Sequence, residues 1–231
     1  MCKGIGRIVD KFFFRNVYQE LFVIRYSQYQ IMLKRFYQKE LVEAGCDEAG
    51  RGCYAGPVFA AAVILPQKFR HPDLNDSKQV PVEKRIELRA YIEKHALAFS
   101  VAMVDHEEID MINILRASFK AMHKALDTLN AQPQLLLIDG NRFTPYKNVP
   151  HRCIVDGDAT YASIAAASIL AKTYRDDYMI NLHEEFPHYN WKNNKGYGTA
   201  EHRKAIEAFG LCKYHRRSFD IEPSQTEIEF I

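Results

Sequence analysis

Between Leu41 and Leu65 the chain sets two short apolar runs, LVEAGC and VFAAAVIL, on either side of a turn rich in glycine. The first run ends in two adjacent acids, Asp47 and Glu48, and the turn holds Arg51 between Gly50 and Gly52. Apolar runs of this length bounded by glycine read as strands, and so short a connection makes them an antiparallel pair. The rest of the chain must therefore complete a sheet, and whatever Asp47 and Glu48 do happens at a strand end.

The later sequence alternates between strand and helix signals. Ala96–Val104 adds a third strand. Between it and the hairpin, Pro81 at a helix start precedes Val82, Ile86, Leu88 and Tyr91, spaced among Glu, Lys and Arg as on an amphipathic helix. A long helical pattern runs from Glu107 to Leu129. LLLID (Leu135–Asp139) is a buried strand stopped by Gly140, and a further short strand fits Arg152–Val155. SIAAASILAK (Ser163–Lys172) is a helix whose small residues let it lie close against a neighbour. Strands followed by alternating strands and helices, without internal repeats, describe a mixed-sheet α/β domain with a basic, helical C-terminal region. With 231 residues, 47% of them apolar, one main domain is expected.

The net charge of +2 makes no argument for a polyanionic partner, so any such argument rests on clustering. Between Trp191 and Arg217 seven Lys or Arg face two acids, Glu201 and Glu207, a stretch suited to tracking phosphates. Five scattered cysteines without CxxC spacing imply neither a disulfide framework nor a zinc site and fit a reducing cytoplasm. No apolar stretch is long enough for a membrane span. Residues 1–40 form an extension rich in aromatic residues, with Met32 as a candidate start that would make residues 1–31 dispensable. Residues 220–231 form an acidic tail.

In a flat strand, successive side chains point to opposite faces, so Asp47 and Glu48 serve one site only if the backbone turns soon after Asp47. Two carboxylates held close repel unless a cation lies between them or one is protonated. Singly, each acid has an ordinary role: Asp47, Glu48 and Asp139 as turn stabilisers beside glycine, and Asp176 as an i, i+4 partner of Lys172. Together, acids converging at strand ends with no Cys or His among them make a hard oxygen site suited to Mg²⁺ or Mn²⁺.

DEAGRG at 47–52, AGP at 55–57, NDSK at 75–78, IDG at 138–140, IAAASILAK with RD at 175–176, KGYGT with His202, and HRRSF at 215–219 closely resemble the type 2 ribonucleases H of bacterial type. The resemblance runs from Leu41 to Phe219, a catalytic domain spanning 41–219. It implies a ribonuclease H-like fold with a five-stranded mixed sheet flanked by helices. It also implies an endonuclease that cuts the RNA strand of RNA/DNA hybrids and cuts 5′ of single ribonucleotides embedded in duplex DNA, leaving 3′-hydroxyl and 5′-phosphate ends. By motif, Asp47, Glu48, Asp139 and Asp176 would be the catalytic carboxylates, holding two Mg²⁺ or Mn²⁺ ions. Gly50, Arg51 and Gly52 would contact the ribonucleotide and its junction with DNA, Tyr197 would stack on the deoxyribose 3′ of it, and Lys78 would see the substrate backbone.

His202 and His215 match motifs but read as structural histidines. The family carries a lysine before GD where this chain has Asp156 in VDGD, a departure that bears on substrate electrostatics and leaves the four carboxylates untouched. QTEIEFI (Gln225–Ile231) lacks the paired terminal aromatics of a sliding-clamp peptide, and a monomer is expected. The rivals are a type 3 ribonuclease H confined to hybrids, whose loop reads GTG, and a non-catalytic hybrid-binding protein.

Overall fold

The structure, a computed structural model, describes residues 33–221. The expectations for residues 1–31, for the start at Met32 and for the tail segment Gln225–Ile231 lie outside these residues.

Strands β1 (Glu43–Ala49), β2 (Val58–Ile64), β3 (Ala98–Val104), β4 (Leu135–Asp139) and β5 (His151–Ile154) form one sheet in the order β3-β2-β1-β4-β5. The β3-β2-β1 half is antiparallel, and β1, β4 and β5 run parallel, so the sheet is mixed. The helices are α1 (Val82–His95), α2 (His106–Ile112), α3 (Ile114–Asp127), α4 (Ala162–Glu185), α5 (Trp191–Asn194) and α6 (Ala200–Phe209).

Every residue of β2 is buried because helices cover both faces. Val58, Ala60, Ala62 and Ile64 pack with Ala44, Cys46 and Ile138 against α3. The alternate residues Ala61 and Val63 face α1 and α4. This period of two is what turns an apolar run into a two-sided core.

Helix α4 lies close on β1, as its small residues require. Ala165, Ala166, Ala167 and Ala171 are fully buried, and a Cβ on Gly45 would stand 2.2 Å from the Ser163 carbonyl carbon. Gly45 is thus the residue that lets helix backbone meet strand backbone.

The single helical pattern from Glu107 to Leu129 is two helices. Asn113, at φ 67°, ends α2, and its side chain accepts from the Arg116 amide to cap α3. Asparagine tolerates the left-handed conformation and is a strong N-cap, so one residue both breaks and restarts the helix. Beyond α4, the C-terminal region packs around the fully buried Trp191 with Met179, Leu182 and Tyr189. Arg216 is also fully buried, so it does not contribute to a basic surface. The four described cysteines are free thiols. Among the described residues, no helix is long and apolar enough to cross a membrane.

Candidate active site

Strands β1 and β4 are parallel neighbours, and the chain leaves them toward opposite sides of the sheet, β1 to β2 and β4 to β5. Such a switch point opens a crevice at the carboxyl ends of the strands. Cys46 pairs with Ile138, so the next residues, Asp47 and Asp139, lie side by side where the pairing of β1 with β4 ends. Strand parity puts Asp47 with Gly45 and Asp139 with Leu137, all on the α4 face.

A third acid comes from the 3₁₀ turn Gly157–Ala159 that follows β5. The Gly157 amide donates to Asp139 Oδ1 at 2.8 Å, which docks the turn on β4 and brings in Asp158. Oxygens of Asp47, Asp139 and Asp158 lie within 4.8 Å of one another. Asp158 is buried, and its Oδ2 has no hydrogen-bond partner.

The cluster is electrostatically loaded. Burial, then the charges of Glu48 and Asp139, raise the Asp47 pKa well above the carboxylate range, with Ser168 hydrogen-bonded to it in opposition. Ser168 Oγ in turn lies 2.8 Å from Ser77 Oγ, linking Asp47 to the NDSK loop. Burial, then Asp139 and Asp76, push Asp158 up to about 6. Lys78 Nζ stands 3.7 Å from Asp158 Oδ2 and 3.9 Å from Asp76 Oδ1, on a side chain that is otherwise exposed. Burial opposes the Lys78 charge, but the surrounding carboxylates outweigh it and raise its pKa.

Strand β1 does not turn after Asp47. It continues to Ala49, pairing Glu48 with Ala60 and Ala49 with Phe59, so Glu48 leaves on the face opposite Asp47. The Glu48 amide donates to Asp47 Oδ1 at 2.7 Å, and its carboxylate accepts from Arg51 Nη1 at 3.1 Å. Burial raises the Glu48 pKa against the opposing pull of Arg51, with Asp139 adding to the rise.

Asp176 is not part of the three-acid group. Its Oδ1 accepts from Lys172 Nζ at 2.6 Å, one turn earlier on α4. It lines a cleft of about 260 Å³ with Lys172, Arg85, Lys195 and Tyr197. Lys172 Nζ and Arg175 Cζ lie 5.7 and 5.9 Å from the centre of the Tyr197 ring, which is 40% exposed and offers a stacking surface.

His202 Nδ1 donates to the Tyr197 carbonyl, leaving Nε2 to accept from Trp191 Nε1 at 3.0 Å and from His215 Nε2 at 3.2 Å. His215 Nδ1 then accepts from the Cys212 amide. Both rings are buried, neutral and fully used in holding the Tyr197 loop.

The residues fit a divalent metal. The donors are all carboxylate oxygens, and one of them, Asp158 Oδ2, is buried without a hydrogen-bond partner. The sequence reading gives Asp158 no place in the site, because a residue on a short turn has no periodicity to place it. The pattern that could have found it is an acid just after the glycine of the turn that follows a short strand parallel to the one that ends in Asp139.

The sequence model described as Ribonuclease HII matches residues 44–221. A ribonuclease HII of Parabacteroides distasonis is 58% identical over 199 residues, 86% of this chain and all of that protein. Among solved structures, ribonuclease H2 of Pyrococcus horikoshii superposes with a TM-score of 0.65 at 24% identity, over 78% of this chain and 94% of that one. A Bst-RNase HIII in complex with Mn²⁺ gives 0.57 at 19% identity, over 78% of this chain and 67% of that one. At these identities the two structures speak for the fold alone.

Proposed function

The chain belongs to the ribonuclease HII family and is a hydrolase, an endonuclease of the ribonuclease H class, and we propose that it cuts both RNA/DNA hybrids and duplex DNA at single embedded ribonucleotides. In the latter it cuts on the 5′ side of the ribonucleotide and leaves 3′-hydroxyl and 5′-phosphate ends. The observation that carries this reading is the meeting of Asp47, Asp139 and Asp158 at the sheet's switch point, beside the Gly50–Gly52 turn.

Asp47, Asp139 and Asp158 would hold divalent metal; Glu48 leaves β1 on the other face, but its carboxylate already feels the charges of Asp139 and Lys78, and it would contribute once Arg51 releases it to a substrate phosphate. Asp158 takes the place that sequence motifs had given to Asp176. Mg²⁺ or Mn²⁺ bound there, as two ions, supplies an activated water and stabilises the leaving oxygen. Ser168 orients Asp47, and the Gly157 amide orients Asp139. Lys78, already drawn to the acids, guides the substrate backbone toward them. Arg51 grips the phosphate, Gly50 and Gly52 allow close backbone approach to the 2′-oxygen, and Tyr197 stacks on the sugar that follows.

The test is cleavage of an end-labelled DNA duplex with one internal ribonucleotide, beside an all-DNA duplex and a uniform RNA/DNA hybrid, in Mg²⁺ and in Mn²⁺, with Asp47→Asn as blank. Cutting of the hybrid and 5′ to the lone ribonucleotide, both lost in the blank, is expected. Cutting of the hybrid alone refutes the junction reading, and no cutting of either refutes the whole.

A further inference from the structure

Two arginines lie beneath the Gly50–Gly52 turn, both fully buried, and among the described residues neither forms an ion pair. Burying a cation without a carboxylate costs several kcal/mol unless dipoles replace the lost water. Here the dipoles are backbone carbonyls, three for each guanidinium. Arg175 donates to Pro57, Ala55 and Lys195 at 2.9, 3.1 and 2.8 Å, which joins the turn region to the loop carrying Tyr197. Arg216 donates to Gly56, Arg51 and Gly50 at 2.9, 2.8 and 2.7 Å. Burial lowers the Arg216 pKa, with Cys53 opposing, to about 10, so it remains a cation at neutral pH.

The consequence follows from peptide geometry. In a trans peptide the carbonyl and the next amide point in opposite directions. With the carbonyls of Gly50 and Arg51 drawn inward to Arg216, the amides of Arg51 and Gly52 point outward. Neither amide has a hydrogen-bond partner among the described residues, and both residues are exposed. The space in front of them is open, since a Cβ on Gly52 would meet nothing within 4 Å. Successive outward amides form a concave donor pair that takes an oxygen acceptor.

We propose that Arg216 is a positioning residue for ribonucleotide recognition, holding Gly50, Arg51 and Gly56 by their carbonyls so that the Arg51 and Gly52 amides are fixed as donors to the 2′-oxygen. This rests on the reading of the protein as a nuclease that recognises embedded ribonucleotides. Lysine cannot replace the fork, because an ammonium is a point charge without three donors in one fixed plane.

The experiment measures affinity in Ca²⁺ for a DNA duplex with one ribonucleotide and for the same duplex all in DNA. It uses the full chain as wild type, Arg216→Lys, Arg216→Ala and Gly52→Ala, each with its melting temperature. The wild type should prefer the ribonucleotide duplex, and Arg216→Lys should lower that preference about tenfold with less change on all-DNA duplex. Guanidinium ion at a sub-denaturing concentration should restore part of the preference in Arg216→Ala and none in Arg216→Lys. If the arginine variants do not fold, Gly52→Ala, which keeps Arg216 and covers the amides, should show the same loss at a wild-type melting temperature.

Undiminished preference in the variants that fold, or equal weakening on both duplexes, overturns the inference. A wild type that cuts hybrid but shows no preference between the two duplexes overturns the junction reading and this inference with it, an outcome visible before any variant is made.

Discussion

Gly50 has φ of +97° and would place a Cβ 2.0 Å from Arg175 Nε, so it needs its missing side chain for backbone and packing alike. Two positions on, Gly52 needs it for neither, since a Cβ there meets open space. Gly50→Ala should therefore destabilise the protein by at least about 2 kcal/mol, the sum of left-handed strain and overpacking. Gly52→Ala should leave the urea midpoint unchanged or slightly raised, because removing a glycine also narrows the unfolded ensemble. Equal destabilisation by the two would refute the distinction. The acids divide in the same way. Asp158→Asn should lower cleavage more than about 100-fold, beyond the range typical of groups that only orient metal ligands. Asp176→Asn removes an ion pair with Lys172 and should cost under about 1 kcal/mol of stability and less than about tenfold in rate. Single-turnover rates in Mg²⁺ for both variants decide it, and a larger loss at Asp176 would return that residue to the metal set.

At the scale of elements, the five strands and the close-packed α4 were legible because each announces itself locally, by apolar runs between glycines or by a string of alanines. The strand-end placement of Asp139 was legible for the same reason, whereas Asp47 lies two residues inside the end of β1, which the glycines of the turn led the sequence to place too early. Asp158 was not legible, since its position depends on β5 lying parallel to β4 and on the Gly157 amide finding Asp139 across 18 residues of sequence. Nor was the break at Asn113, where apolar spacing continues through a residue that caps the next helix. The roles of Arg175 and Arg216 were hidden too, for composition counts a buried arginine as surface charge. What the small residues imply about α4 can be tested directly. Gly45→Ala would drive a methyl into the Ser163 backbone at 2.2 Å and push helix from strand, at a cost of about 1–3 kcal/mol. A urea titration checks this, and a stability equal to wild type would mean that the two elements do not meet at van der Waals distance.

For the whole molecule, acid stability is set by opposed groups at two places. Around Asp47 and Asp158 the folded protein holds protons more tightly than the unfolded chain, so in the absence of metal these groups favour folding as pH falls. In the C-terminal cluster the sign is reversed. Burial, followed by the facing His202 and the more distant His106 and His188, lowers His215 to about 4, against about 6.5 in an unfolded chain. The unfolded state therefore binds more protons between those values, and the stability His215 contributes above pH 6.5 is lost as pH falls through 4. Protonation would also take from Nδ1 the lone pair that accepts the Cys212 amide. His215→Gln keeps an amide donor for His202 and an oxygen for Cys212 but does not titrate. Between pH 7 and 4.5 the wild type should lose about 2 kcal/mol more stability than this variant, a difference in which the carboxylates common to both cancel. Paired urea titrations at the two pH values measure it. Parallel losses would mean that His215 takes up its proton alike in the folded and unfolded states, so that burial does not hold its pKa down.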